Sequence, residues 1–170
     1  MKEERKNDTG TSGTITQPTK EDYPKIVVEK GEAYFLDKDT GKMEKRKDYV
    51  LEKRRDQKNP VTIGREAPET VGKKDMVLPK KYDCASREHC EIFFDRNENA
   101  YFLLDYSLNG TLVNGDRVGG NRVREMRRLE HEDLIEIPAV GERIELRFLT
   151  QERPGFGDWS GLRLRPRRPR

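Results

Sequence analysis

At 170 residues the chain is long enough for one domain with its own core and too short for two large ones. Only 32% of the residues are hydrophobic and 39% are charged, too polar for a chain packed along its whole length, so unfolded tails are expected. A formal net charge of +3, from 35 basic and 32 acidic side chains, does not by itself call for a nucleic-acid partner, and no apolar run is long enough for a membrane helix. The opening Met-Lys-Glu-Glu-Arg-Lys has no apolar signal region, and Cys84 and Cys90 are too few to staple a secreted fold, so an intracellular protein is expected, cytoplasmic or nuclear if eukaryotic.

Residues 1–24 hold five threonines (Thr9, Thr11, Thr14, Thr16 and Thr19) with turn-forming Gly, Pro and Asn, and bury too little to offset their ordering entropy. They read as a disordered Thr-rich arm. A β-sandwich domain is expected over residues 25–149, beginning with Lys25-Ile26-Val27-Val28 and Ala33-Tyr34-Phe35-Leu36. Met43 and Tyr49-Val50-Leu51 suggest a return strand; a helix from Lys42 to Arg55 is the rival, with good propensities but a thin apolar face. Val61-Thr62-Ile63-Gly64-Arg65 reads as a strand that delivers Arg65 to a loop, and Met76-Val77-Leu78 as another closed by Pro79. His89–Phe94 and Ala100–Leu104 form a hairpin, with Cys90, Ile92 and Phe94 on the core face. Thr111-Leu112-Val113 is a short strand ending in the hairpin pair Asn114-Gly115. The Arg-rich stretch from Arg122 to Glu132 reads as a loop or one helical turn. Asp133–Ile137 and Arg143–Phe148 close the domain, the latter alternating with Ile144, Leu146 and Phe148 inward. Many short strands with Gly- and Asn-rich turns argue for an all-β sandwich. Residues 150–170 form an Arg/Pro/Gly-rich basic tail.

Three polar landmarks carry the chemistry. A guanidinium at a loop base, as at Gly64-Arg65, can grip two phosphate oxygens at once, although a surface arginine in a salt bridge has the same sequence. Ser86-Arg87 adds a hydroxyl donor beside a second cation, or is simply a turn before a strand. His89 suits a supporting part, tying loops together and holding Ser86, since no nucleophile and carboxylate accompany it as in a catalytic triad. In Asn109-Gly110-Thr111 the amide can both donate and accept, which is what reading a peptide main chain requires. Asn114-Gly115 alone is ordinary hairpin chemistry.

Gly-Arg, then Ser-x-x-His about twenty residues later, then Asn-Gly-Thr-x-Val-Asn-Gly after about twenty more resembles the forkhead-associated (FHA) domain, a phosphothreonine-binding module. The resemblance covers residues 60–148 well and 33–59 less clearly. It implies a twisted, FHA/SMAD-like β-sandwich of about eleven strands with the ligand on loops at one end. Carried over by position, Arg65 and Ser86 become phosphate ligands assisted by Arg87, and Asn109 the residue that fixes the peptide main chain, with Ser107 and Asn114 alongside it. His89, Gly64, Gly110, Thr111 and Gly115 become structural support. Lys80 and Lys81 lie near the loop that selects the third residue after the phosphothreonine.

The expected function is therefore non-catalytic recognition of phosphothreonine in a protein partner, without cofactor or metal. Thr19 is followed three residues later by Asp22, so the chain's own phosphorylated arm is a candidate ligand and a route to self-association. The alternative is nucleic-acid or acidic-partner binding through Arg163, Arg165, Arg167, Arg168 and Arg170, combined with Arg122, Arg124, Arg127 and Arg128. Cys84, His89 and Cys90 are one ligand short of a closed zinc site, and no phosphate-cradling P-loop is present.

Overall fold

The computed structural model describes residues 24–51 and 55–150, so Thr19, most of the Thr-rich arm and nearly all of the basic tail lie outside the described residues. Thirteen strands form: β1 (Lys25–Lys30), β2 (Tyr34–Leu36), β3 (Met43–Lys45), β4 (Asp48–Val50), β5 (Val61–Arg65), β6 (Met76–Leu78), β7 (Cys90–Asp95), β8 (Ala100–Asp105), β9 (Thr111–Val113), β10 (Asp116–Val118), β11 (Glu125–Leu129), β12 (Leu134–Ile137) and β13 (Ile144–Leu149). They build two sheets, one ordered β10-β9-β12-β13-β1-β4 and the other β11-β8-β7-β5-β6-β2-β3. Neighbours are antiparallel apart from β5 and β6, which run parallel with Ile63 opposite Met76 and Arg65 opposite Leu78.

Alternation decides which faces meet. In β13, Ile144, Leu146 and Phe148 are fully buried while Glu145, Arg147 and Leu149 stay partly exposed, the period-2 pattern of a sheet wetted on one side. Ile26 of β1, Ile63 of β5, Ile92 of β7 and Leu103 of β8 complete the buried layer between the sheets. Tyr101 bridges it, with its ring 5.4 Å from Phe148 and 5.1 Å from Phe94. Phe35 stacks on Tyr49 at 5.1 Å and joins β2 to β4 in the same way.

One local expectation changes and two are resolved in detail. Asp48–Val50 is a strand beside β1, and no helix occurs among the described residues of the Lys42–Arg55 stretch. The Arg122–Glu132 stretch holds β11, paired residue for residue with β8 from Glu125↔Asp105 to Leu129↔Tyr101. The open ladder edge of β8 overrides the helical leaning of Glu, Met and Arg, because long charged side chains can leave a sheet edge while Leu129 is buried. In β7, Cys90, Ile92 and Phe94 share the core face as expected, Phe94 half-buried against the core, while Phe93 on the opposite face is buried as well and stacks on Phe102 at 6.0 Å.

Candidate functional site

The register places one set of strand ends together. Arg65 ends β5 level with Leu78 of β6, Cys90 opens β7 opposite Asp105 of β8, and Thr111 opens β9 opposite Val118 of β10. The connections 79–89, 106–110 and 119–124 therefore crowd one end of the sandwich.

A buried polar chain ties these loops together. The Ser86 backbone N–H donates to His89 Nδ1 at 3.0 Å, which leaves Nε2 to carry the ring proton and donate to Thr111 Oγ1 at 3.0 Å. The Thr111 hydroxyl then donates to Asp105 Oδ2 at 2.6 Å. Asp105 also accepts the Ser107 N–H at 3.0 Å and the Ser107 hydroxyl at 3.0 Å on Oδ1, and Ser107 Oγ accepts the Gly110 N–H at 2.8 Å. His89, Asp105, Ser107 and Thr111 are all fully buried. Burial holds the His89 pKa below its usual value and outweighs the opposing pull of Asp105, so the ring is neutral near pH 7.

Asp105 was not among the residues singled out from sequence. An acid two residues before a serine is the usual signature of a side chain that caps its own turn, and that was the available signal. Gly119 seals the carboxylate from above at φ +70°, where a Cβ would lie 2.1 Å from Asp105 Oδ1.

On this base four side chains face outward. Arg65 is half-buried; its Nη1 donates to the Asp83 carbonyl at 2.7 Å, and among the described residues it has no carboxylate partner. Ser86 Oγ accepts the Leu108 N–H at 3.1 Å and keeps its own proton to donate. Asn109 Nδ2 donates to the Cys84 carbonyl at 2.8 Å, leaving its Oδ1 and second N–H open. Each side chain is thus aimed by one hydrogen bond while other donors stay unused. Arg87 is exposed and paired with Glu69 Oε1 at 2.5 Å. Gly64 makes this closeness physical, since the 86–88 loop crosses it so tightly that a Cβ would lie 1.8 Å from the Arg87 carbonyl oxygen.

Two expected contact residues stand elsewhere. Ser107 is fully buried and its hydroxyl is committed to Asp105 and the Gly110 N–H, so it shapes the loop from behind. Asn114 lies at the other end of β9, separated from Asn109 by the strand, about 10 Å long at three residues. Its Nδ2 donates to Asp133 Oδ1 at 2.7 Å and its Oδ1 accepts the Leu134 N–H at 2.9 Å. With Asn114 at φ +52° and Gly115 at +85°, the pair makes the left-handed hairpin turn its sequence suggests. Gly110, at φ +82°, turns the Asn109 loop into β9.

Tyr82, unnoticed in the sequence, holds the 79–85 loop. It is buried, its hydroxyl accepts the Glu32 N–H at 2.9 Å, and the Lys81 ammonium lies 5.1 Å from its ring centre. Lys81 also pairs with Glu32 at 3.6 Å. Cys84 is partly exposed; Cys90 is buried, with its thiol pKa pushed well up by desolvation. Among the described residues no group of three His, Cys, Asp or Glu side chains is placed to hold a metal ion.

Two stacked sheets whose loops are pinned at one end, with hydrogen-bond donors left open there, define a β-sandwich interaction module. Residues 61–138 match the FHA domain family. Among solved structures it is similar to an engineered FHA with Myc-pTBD peptide (20% identity, 76% of this chain and 92% of that one, TM-score 0.51). It is also similar to the kinase-interacting FHA domain of the kinase associated protein phosphatase of Arabidopsis (23%, 76% and 96%, TM-score 0.51). A third is the MEK1 FHA domain (19%, 79% and 94%, TM-score 0.52). At these identities the likeness is one of fold. No curated protein sequence matches the chain.

Proposed function

We propose that the loop end binds a phosphothreonine peptide of a protein partner, without catalysis. Arg65 and Ser86 take the phosphate, Arg87 assists by exchanging Glu69 for the ligand, and Asn109 holds the peptide main chain. The observation that carries this reading is Arg65, a half-buried guanidinium braced on a carbonyl with no carboxylate to neutralise it, beside the open donors of Ser86 and Asn109. A fork of N–H donors held this way suits a phosphate dianion better than a single carboxylate. Titration with a phosphothreonine peptide library should give micromolar binding that Arg65→Ala abolishes. Equal binding of phosphorylated and unphosphorylated peptides defeats the proposal.

The chain's own arm, phosphorylated at Thr19, is a candidate ligand for its own loops or for those of a second copy, and its reach favours the second. β1 starts at the end of the sandwich remote from the loops, and the five steps from Lys25 to Lys30 cover about 17 Å. Asp22, three residues after Thr19, lies three residues before Lys25 and reaches at most about 11 Å from it. Thr19 itself, six residues before Lys25, reaches at most about 21 Å, so it would have to lie almost fully extended to meet its own domain's loops, whereas the loops of a second copy impose no such constraint. Light scattering should show concentration-dependent dimers of the Thr19-phosphorylated chain, dissolved by an external phosphopeptide; a phosphorylated monomer at high concentration counts against it.

Of the cations that the nucleic-acid alternative invokes, Arg122 and Arg124 alone stand exposed without a close carboxylate partner among the described residues, too few for a surface that tracks a phosphate backbone. Arg127 and Arg128 are partnered by Asp116 and Glu130, and the arginines from 163 to 170 lie outside the described residues. An intracellular setting, where kinases write such marks, goes with the proposal.

A further inference from the structure

Three arginines surround the loop that carries Asn109, and nothing in the site described above uses them. At the start of the 106–110 loop, the Arg124 guanidinium lies 6.0 Å from the ring centre of Tyr106. At its end, Arg117 lies in the notch between Gly110 and Gly120: its Nε would be 2.8 Å from a Cβ on Gly110, and its Nη2 2.2 Å from one on Gly120. Between them, Arg122 donates its backbone N–H to the Ser107 carbonyl at 2.9 Å, and the Asn121 N–H meets the Leu108 carbonyl at 2.6 Å. The 119–124 loop is thereby sewn to the Asn109 loop, at the cost of two consecutive non-glycine residues in left-handed conformation, Asn121 at φ +55° and Arg122 at +62°.

All three side chains are exposed, and among the described residues none has a carboxylate within 4 Å. Arg127 and Arg128, on the neighbouring strand, do pair with acids. Of the nearby acids, Asp105 is buried and committed to Ser107 and Thr111, Glu125 accepts the Gly119 N–H at 2.7 Å, and Asp116 pairs with Arg127. Glu91 lies near enough to Arg124 for the two charges to interact, so the surface beside Asn109 holds three cations of which none is closely paired, next to the exposed apolar side chains of Leu108 and Val123.

We infer that Arg117, Arg122 and Arg124 form an acid-reading extension of the peptide site. It recognises Asp or Glu residues flanking the phosphothreonine, and so selects acidic partner segments over uncharged ones. This rests on the phosphopeptide reading of the loop end. Fixed cations beside a peptide groove raise affinity for acidic flanks modestly and in a salt-dependent way, and they leave the phosphate contacts intact.

The test uses the full chain and 13-residue peptides, each with one central phosphothreonine. One set has uncharged flanks, a second four aspartates before the phosphothreonine, a third four aspartates after it; each has an unphosphorylated control. In low salt one acidic set should bind about fivefold to tenfold more tightly than the uncharged set, the range expected when a few exposed ion pairs add together. That preference should fade in 1 M salt and be lost in Arg117→Gln/Arg122→Gln/Arg124→Gln, while affinity for the uncharged phosphopeptide stays within about twofold. Arg124→Gln alone, which leaves the glycine notch untouched, should lose about a third of the preference on a logarithmic scale. Wild type that binds all phosphorylated sets alike, or a triple variant that keeps the preference, overturns the inference and leaves the phosphopeptide reading standing. Failure of wild type to distinguish any phosphorylated peptide from its control overturns both.

Discussion

Replacing Asp105 with asparagine exchanges one carboxylate oxygen for an NH2 group at the centre of the loop scaffold, and its consequence follows from the direction of the hydrogen-bond chain. The chain begins at the Ser86 backbone N–H, which can only donate, and ends at the Asp105 carboxylate, which can only accept, so every proton between them is fixed in place. An asparagine amide turned to keep the Thr111 bond points its NH2 at the Ser107 N–H and hydroxyl. Turned the other way, it donates to Thr111, whose proton must then go to His89 Nε2, which sets Nδ1–H against the Ser86 N–H. Either arrangement strands at least one buried donor and weakens bonds that were made to a charge. An orphaned buried donor costs about 1–3 kcal/mol, and a charged acceptor adds to each bond it makes, so the expected loss is about 3 kcal/mol. Urea unfolding of Asp105→Asn should show a midpoint lowered by that loss at unchanged slope, and nitrogen NMR should show His89 losing its pure Nε2–H tautomer. An unchanged midpoint together with an unchanged tautomer refutes the argued direction of the chain.

Further outcomes follow from other contacts. Gly64→Ala places a Cβ 1.8 Å from the Arg87 carbonyl, which is backbone and cannot swing aside, so about 1–3 kcal/mol of stability should be lost, read by thermal unfolding. Phosphopeptide affinity should fall with it, because Ser86 is displaced. Tyr82→Phe removes the acceptor of the Glu32 N–H and should cost about 1 kcal/mol with little change in fold, checked by urea unfolding and amide exchange at Glu32. Because the folded His89 pKa lies below the unfolded value near 6.5, the unfolded chain binds the extra proton first. The contribution is complete above about pH 6.5 and is lost as pH falls toward the folded pKa, at up to about 1.4 kcal/mol per unit. Urea midpoints measured from pH 7.5 to 5 should fall accordingly, and a flat profile contradicts the neutral buried ring.

The parts of the fold legible in advance are those where alternation is clean. Ile144, Leu146 and Phe148 could face only one way once β13 was a strand, and the hairpin of β7 and β8 was bounded by polar turn residues. β11 was hidden because Glu-Met-Arg-Arg-Leu has no alternation of its own, and only the free edge of β8 selects its conformation. In the site, Arg65, Ser86 and Asn109 were legible as residue types in order, but the sequence carried no sign of which donors would remain unused. Ser107 and Asn114 have the right chemistry in the wrong place, one committed to a buried carboxylate and the other a strand's length away. Asp105 was masked by abundance, as one acid among 32; its place two residues before Ser107 and its complete burial, approached among the described acids by Asp75, are what separate it from the rest.

Lys25 opposite Leu149 sets how the domain carries load. The first and last strands are antiparallel neighbours, and the chain enters and leaves at the same end of that pair. Tension applied through both termini therefore peels β1 from β13 one hydrogen bond at a time, as a zipper opens, instead of shearing the ladder at once. Tension through one terminus and a peptide held at the loops runs along the strands, where the ladder's bonds share the force. The domain should yield readily when stretched between its own ends and resist when pulled against its ligand.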